Sequence, residues 1–286
     1  MDDRASFTAE TMALQRALES KRPVDSRLFV DPYADAFLRP SLRVLAAAGG
    51  VPGLRRLAAG LYDAATGPGP RPSAVVRTRV IDDAVTAAQP EQCVLLGAGY
   101  DTRAHRLPAL ASVRVFEVDH PRTQEAKRRV VARLGVSGEH VTYVPVDFER
   151  DDLASELTTA GFAEEASTVF VWEGVTNYLT PEAVDGTLAT IKGLAAGTLI
   201  VTYVDKRALG PGSPFPEGDR WVRAVAKVGE PWTFGLHPDD VAGFMAERGF
   251  RVTRDVSTLD AGLEWFEGRP ERGSGLYRIV VAEISR

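Results

Sequence analysis

The chain has 286 residues, 44% of them hydrophobic and 26% charged, with a formal net charge of −5. That length accommodates one large α/β domain with an appendage, or two small domains. The acidic balance, with no basic tract to neutralise phosphates, argues against a nucleic-acid partner. No apolar run reaches the ~18 residues of a membrane span, so no membrane partner is expected. The acidic start Met1-Asp-Asp-Arg4 lacks the apolar stretch of a signal peptide, and the lone cysteine, Cys93, cannot form an internal disulfide. A cytoplasmic protein is expected.

In chain order, residues 5–63 read as helices: an imperfect amphipathic segment over 8–20, a helix start at Asp31-Pro32-Tyr33, and an apolar-rich helix over 42–62. Residues 66–72, rich in proline and glycine, read as a loop that separates an N-terminal helical cap from the core. From residue 73 helix and strand alternate. Helices over 73–88, 123–134, 151–160 and 181–194, with a short one after the first strand, separate strands over 93–96, 113–118, 141–146, 168–172 and 198–204. Five strands in that rhythm predict a parallel, doubly wound sheet. Residues 205–236 show no clear period and read as a cap inserted over the sheet's carboxyl edge. A helix over 239–248 stops at Gly249, and strands over 250–256 and 277–284 follow a long connection as a closing antiparallel pair. The expected organisation is thus a 1–72 helical cap, a 73–204 α/β core, a 205–236 inserted cap and a 237–286 completion of a mostly parallel seven-stranded sheet.

The most informative stretch runs from Gln92 to Arg103. Strand-type residues lead into Gly97-Ala98-Gly99, and twenty residues after Gly99 a second strand ends at Asp119. Glycines let a backbone approach a ligand, and a carboxylate after the second strand accepts from ribose hydroxyls. Thr102 stands where the dinucleotide fingerprint needs its third glycine, and Asp101 would repel a pyrophosphate. The expected ligand is a nucleoside without phosphates, S-adenosylmethionine being the leading candidate. Glu117 and Asp119 are read as facing opposite sides of the sheet, so one of them, Asp119, is chosen as the ribose acceptor. Glu173 ends the fourth strand at the switch-point crevice. It either receives the donor's ammonium, shapes the acceptor pocket, or pairs with an arginine as a buried structural acid. Asp101 either meets that ammonium or caps the next helix.

Five separated segments resemble the leucine carboxyl methyltransferase family, especially its bacterial O-methyltransferases of polyketide and other secondary metabolism. They are Arg27-Leu-Phe-Val-Asp31-Pro32-Tyr33-Ala34, Arg77-Thr78-Arg79-Val-Ile-Asp82, Leu96-Gly97-Ala98-Gly99-Tyr-Asp101-Thr102-Arg103, Phe116-Glu117-Val-Asp119-His-Pro121 and Trp172-Glu173-Gly174-Val-Thr-Asn-Tyr178-Leu179. The resemblance implies a class I methyltransferase fold, S-adenosylmethionine as donor, and an oxygen acceptor that is often a carboxylate. It also implies an arginine that grips the donor's carboxylate, a role that suits guanidinium, and Arg77 is chosen over Arg79. Asp147 is expected to accept from the adenine amino group and Phe148 to pack on its face; in the family the residue after this aspartate is often leucine. The alternative for Asp147 is an ordinary turn or cap.

The four histidines, His105, His120, His140 and His237, lack metal-ligand spacing, so no metal is expected. His237 reads as a helix start rather than a base. No covalent nucleophile is evident, and no catalytic residue is named. Trp221, Trp232, Phe234 and Trp265 line an acceptor pocket or pack the cap, and Arg207, Arg220 or Arg223 would partner a carboxylate acceptor. Two other functions share the βαβ start: an NAD-dependent oxidoreductase or epimerase, and a sensor that binds the sulfur nucleoside without turnover. A small-molecule acceptor is the expected partner.

Overall fold

Five consecutive buried residues place β1 (Gln92–Leu96) at the centre of the molecule. A strand covered on both faces needs apolar side chains on both. Cys93 and Leu95 enter one layer, Val94 and Leu96 the other. Burial also pushes the Cys93 thiol well above its ordinary value. The computed structural model describes residues 7–67, 69–148, 150–210, 212–227 and 229–285. The acidic start read above falls among residues 1–6, outside the described residues.

Around β1 lie β2 (Arg114–Asp119), β3 (Val141–Pro145), β4 (Thr168–Trp172), β5 (Gly197–Val204), β6 (Phe250–Ser257) and β7 (Tyr277–Ile284), in the order β3-β2-β1-β4-β5-β7-β6. The first five strands are parallel, and β7 runs antiparallel to both β5 and β6. Because β1 lies between β2 and β4, the winding reverses there. A crevice opens beyond the carboxyl ends of β1 and β4.

Helices α1 (Phe7–Ser20), α2 (Pro40–Gly49), α3 (Arg55–Thr66) and α4 (Pro70–Ala88) precede the sheet. Next come α5 (Arg103–Arg106), α6 (Pro121–Leu134), α7 (Leu153–Thr159) and α8 (Pro181–Leu194), then α9 (Gly218–Lys227), α10 (Val241–Ala246) and α11 (Thr258–Trp265). One face of the sheet packs on Val76, Val80 and Ile81 of α4 and Ala261 of α11. The other packs on Leu157, Leu188, Ile191 and Met245 of α7, α8 and α10. A third cluster, with Leu14, Ala17, Ala58, Tyr62 and Tyr100, holds the N-terminal helices against the loop after β1.

Several expectations need correction. Residues 66–72 are not one loop: α3 runs to Thr66 and α4 begins at Pro70, because prolines in a helix's first turn lose no intrahelical donor. The single helix over 42–62 is two, interrupted in the stretch Gly50-Val-Pro-Gly53. The cap holds a regular helix, α9, whose Trp221 is buried, and the connection before β7 holds α11. The helix over 239–248 is shorter, a tight turn followed by α10.

Candidate active site

A cavity of about 1130 Å³ fills the crevice. Its floor is the loop after β1, together with Asp119, Glu173 and Tyr277 from the ends of β2, β4 and β7. Two glycines make that floor reachable. Gly97 has φ +66°, and a Cβ there would meet Val175 Cγ2 at 2.5 Å; Gly99 has φ +46°. Such backbone favours glycine, and it leaves Gly97, Ala98 and Gly99 in the cavity wall. The Asp119 carboxylate accepts from the amide of Gly99 and, at 2.6 Å, from that of His120. Burial raises its pKa despite those two amides. Two accepted bonds out of about four acceptor positions leave this carboxylate able to receive ribose hydroxyls.

Glu117 stays out of the cavity, but the expected reason was mistaken. Residues two apart on a strand share a face. Lys127 Nζ of α6 lies 2.6 Å from the Glu117 carboxylate and holds it beneath the wall, both side chains being 1% exposed. Burial outweighs Lys127 and pushes Glu117 up to about 7.

At the opposite end of the floor the charges interlock. Arg77 Nε donates to Glu173 Oε1 at 2.6 Å, and its guanidinium carbon lies 4.9 Å from the centre of the Tyr277 ring. Arg103 Nη1 donates to Glu173 Oε2 and to Asp101 Oδ2, each at 2.5 Å, while its Nε donates to Asp82 at 2.7 Å. Asp82 also receives Arg106 at 2.7 Å. Asp31 takes Arg16 at 2.8 Å and the Thr102 hydroxyl at 2.7 Å. Burial alone would raise Asp101 and Glu173; Arg103, joined by Lys127 at Asp101 and by Arg77 at Glu173, holds both below the usual carboxylate range. These acids stay ionised.

The structure thus brings Arg77, Gly97, Ala98, Gly99, Asp101, Asp119, Phe148 and Glu173 to one cavity. Asp147 lies just outside its wall, 3.8 Å from Arg150. Arg79 is also outside, paired with Asp83 at 2.9 Å. Arg207 is held by Asp205 at 2.5 Å away from the wall, so of the three arginines expected there only Arg220 and Arg223 line it. Trp221 and Trp232 line it too, edge to face at 6.4 Å. Phe234 packs in the core beside Phe244, and Trp265 lies under Arg79, so neither belongs to the pocket. Arg103, Tyr178 and Tyr277 escaped the sequence reading. Arg103 and Arg106, three apart in a segment with buried neighbours, were the available signal.

A crystal structure of a provisionally assigned methyltransferase from Thermobifida fusca matches the fold with a TM-score of 0.57 at 16% identity, covering 94% of this chain and 97% of that one. The sheet order with its one reversed strand, and the cavity at the switch point, define the class I methyltransferase fold. The model of the leucine carboxyl methyltransferase family matches residues 9–192. A Saccharopolyspora erythraea protein provisionally named an S-adenosyl-L-methionine-dependent methyltransferase is 34% identical over 266 residues, covering 90% of this chain and 87% of that one. A Frankia alni protein with the same provisional name is 32% identical over 263 residues, covering 86% and 81%. The chain belongs to the leucine carboxyl methyltransferase family and is an S-adenosylmethionine-dependent methyltransferase.

Proposed function

We propose that the enzyme transfers its methyl group to an oxygen of a small molecule of secondary metabolism, a carboxylate first, and that it works in the cytoplasm. The donor would lie along the floor. Asp119 would hold its ribose over the Gly97-Ala98-Gly99 turn, Phe148 would cover the adenine, and Arg77 would grip the donor's carboxylate near Asp101 and Glu173. Asp147 would reach the adenine amino group only by turning inward. Ligand cavities commonly measure about 300–1,000 Å³. At about 1130 Å³ this one leaves space for an acceptor under Trp221, Trp232 and the cap.

The observation that carries the carboxylate is the state of the two floor acids not given to the ribose. Glu173 and Asp101 are held ionised by arginines and are too weakly basic to take a proton near neutrality. Glu230 receives the Thr8 hydroxyl, and burial pushes Tyr178 above its ordinary value. An acceptor that arrives ionised needs none of them. One of its oxygens forms the new bond to the methyl carbon in line with the breaking carbon–sulfur bond. The electron pair of that bond remains on sulfur, and no proton moves. The chain's part is positioning and exclusion of water.

The test is a panel of aromatic and aliphatic carboxylic acids and phenols, scored for S-adenosylhomocysteine release and for methyl esters or ethers by mass spectrometry. Ester formation at a rate flat from about pH 6 to about pH 9 is expected. Turnover of phenols alone, rising with pH, would overturn the carboxylate.

A further inference from the structure

Asp101 and Glu173 reach the floor from different strands, and one nitrogen joins them. Arg103 Nη1 lies 2.5 Å from Asp101 Oδ2 and 2.5 Å from Glu173 Oε2. Its own position is set from several directions. The Asp101 Oδ1 atom accepts from the Arg103 amide at 2.7 Å and turns the chain into α5. The side chain then passes inward to Asp82, which Arg106 also holds, with the Thr78 carbonyl 3.5 Å from Nη2. Arg103 is 2% exposed and is absent from the cavity wall, whereas Asp101 and Glu173 form part of it.

We propose that Arg103 is a positioning residue for the methyl donor, joining Asp101 and Glu173 into one two-carboxylate seat for the donor's ammonium while touching no donor atom itself. The proposal rests on the donor placement given above. Like charges this close repel, and a buried cation shared between them offsets the repulsion. Each carboxylate keeps acceptor positions beyond those taken by Arg103, Arg77 and the α5 amide, and an ammonium brings three donors. Arg77 Nε holds the second oxygen of Glu173, so the cation that would grip the donor's carboxylate and the seat for its ammonium share one side chain. This places the amino-acid tail of the donor in a fixed order, carboxylate toward Tyr277 and ammonium toward the turn after β1.

A structural arginine and a positioning arginine differ in what their loss does to two ligands. S-Adenosylhomocysteine carries the ammonium; 5′-methylthioadenosine keeps the nucleoside and lacks the tail. In Arg103→Met, calorimetry should show S-adenosylhomocysteine bound about tenfold or more weakly and methylthioadenosine bound as in the wild type. The two acids, left without their cation, should share a proton near neutrality. The affinity of the variant for S-adenosylhomocysteine should therefore climb with pH while that of the wild type stays flat, and Arg103→Lys should recover part of the loss. Should Arg103→Met fail to fold, Asp82→Asn loosens Arg103 from the far side and should show the same selective, smaller loss. Equal weakening of both nucleosides, or an unchanged S-adenosylhomocysteine affinity, overturns the positioning role alone. A wild type that binds methylthioadenosine as tightly as S-adenosylhomocysteine overturns the tail placement and the proposal with it.

Discussion

The two halves of the cavity are built from opposite materials. The half proposed for the donor is the edge of the sheet: glycine turns, strand ends, and arginines and acids buried against one another. The half proposed for the acceptor is roofed by α9 and the chain to Trp232, which reach other elements through side chains. Arg220 donates to the Ala64 carbonyl at 2.8 Å, the Thr8 hydroxyl donates to Glu230, and Trp221 seats against Gly69. The cations of the roof face water, the Arg223 side chain being 68% exposed, whereas Arg77 is 8% exposed. In the half proposed for the donor, the groups that would bind are the same ones that pair with one another. In the half proposed for the acceptor the link is thinner and runs through Tyr277, beside which Trp221 is buried and which Trp232 meets edge to face at 6.4 Å.

The largest expected effect tests that coupling. Glu173→Ala leaves Arg77 and Arg103 facing each other without the acid between them, which should cost about 3–5 kcal/mol of stability and abolish donor binding. Urea denaturation reads the first and calorimetry the second. A loss below about 1 kcal/mol would show that the floor is not held by its charges.

Acid should do by degrees what that substitution does at once. Asp31, Asp101 and Glu173 have folded-state values below the ordinary ones, so their stabilisation is complete above the ordinary carboxylate range and is lost as pH falls through the lowered values. Glu117, raised to about 7, acts with the opposite sign: its contribution is complete below the ordinary glutamate value and fades as pH rises through 7. Urea midpoints measured across pH should therefore pass through a maximum between about 4 and about 7. A profile that rises steadily to pH 9 would remove Glu117 from the balance.

Asp119→Ala should weaken donor binding by about 1.5–3 kcal/mol, one to two orders of magnitude in affinity, with the sheet intact by circular dichroism. Unchanged affinity in a folded variant would move the ribose elsewhere. In the roof, Trp232→Ala should raise the KM of an accepted aromatic acid by a factor matching about 0.5–1.5 kcal/mol, with donor affinity unchanged. Smallest of all, Arg223→Ser should leave stability within about 0.5 kcal/mol. It should slow only acceptors carrying a second negative group. Donor binding damaged by either roof substitution would dissolve the division between the halves.

What was legible in the sequence follows the same division. Runs such as Gln92–Leu96 announce central strands because burial on both faces leaves little choice of residue. Gly97 and Gly99 announce a turn because only glycine takes that backbone easily. The roof was illegible for a related reason. Helix α9 spans only ten residues, and its amphipathic stripe is hard to pick out beside the prolines and glycines that precede it. Arg207 and Arg223 look alike as text, and only the fold shows that Asp205 claims the first. Arg103 was hidden because its partners lie at 82, 101 and 173, a proximity that the folded sheet creates.

The lone thiol has a practical consequence. Cys93 lies in the central strand with 0% exposure, and burial keeps it protonated, so maleimides and disulfide reagents should leave the native enzyme untouched. The wild-type chain is then already a background-free host for site-specific labels. A single cysteine introduced on α9 would carry one dye at the roof of the cavity, with no reactive native thiol to remove first.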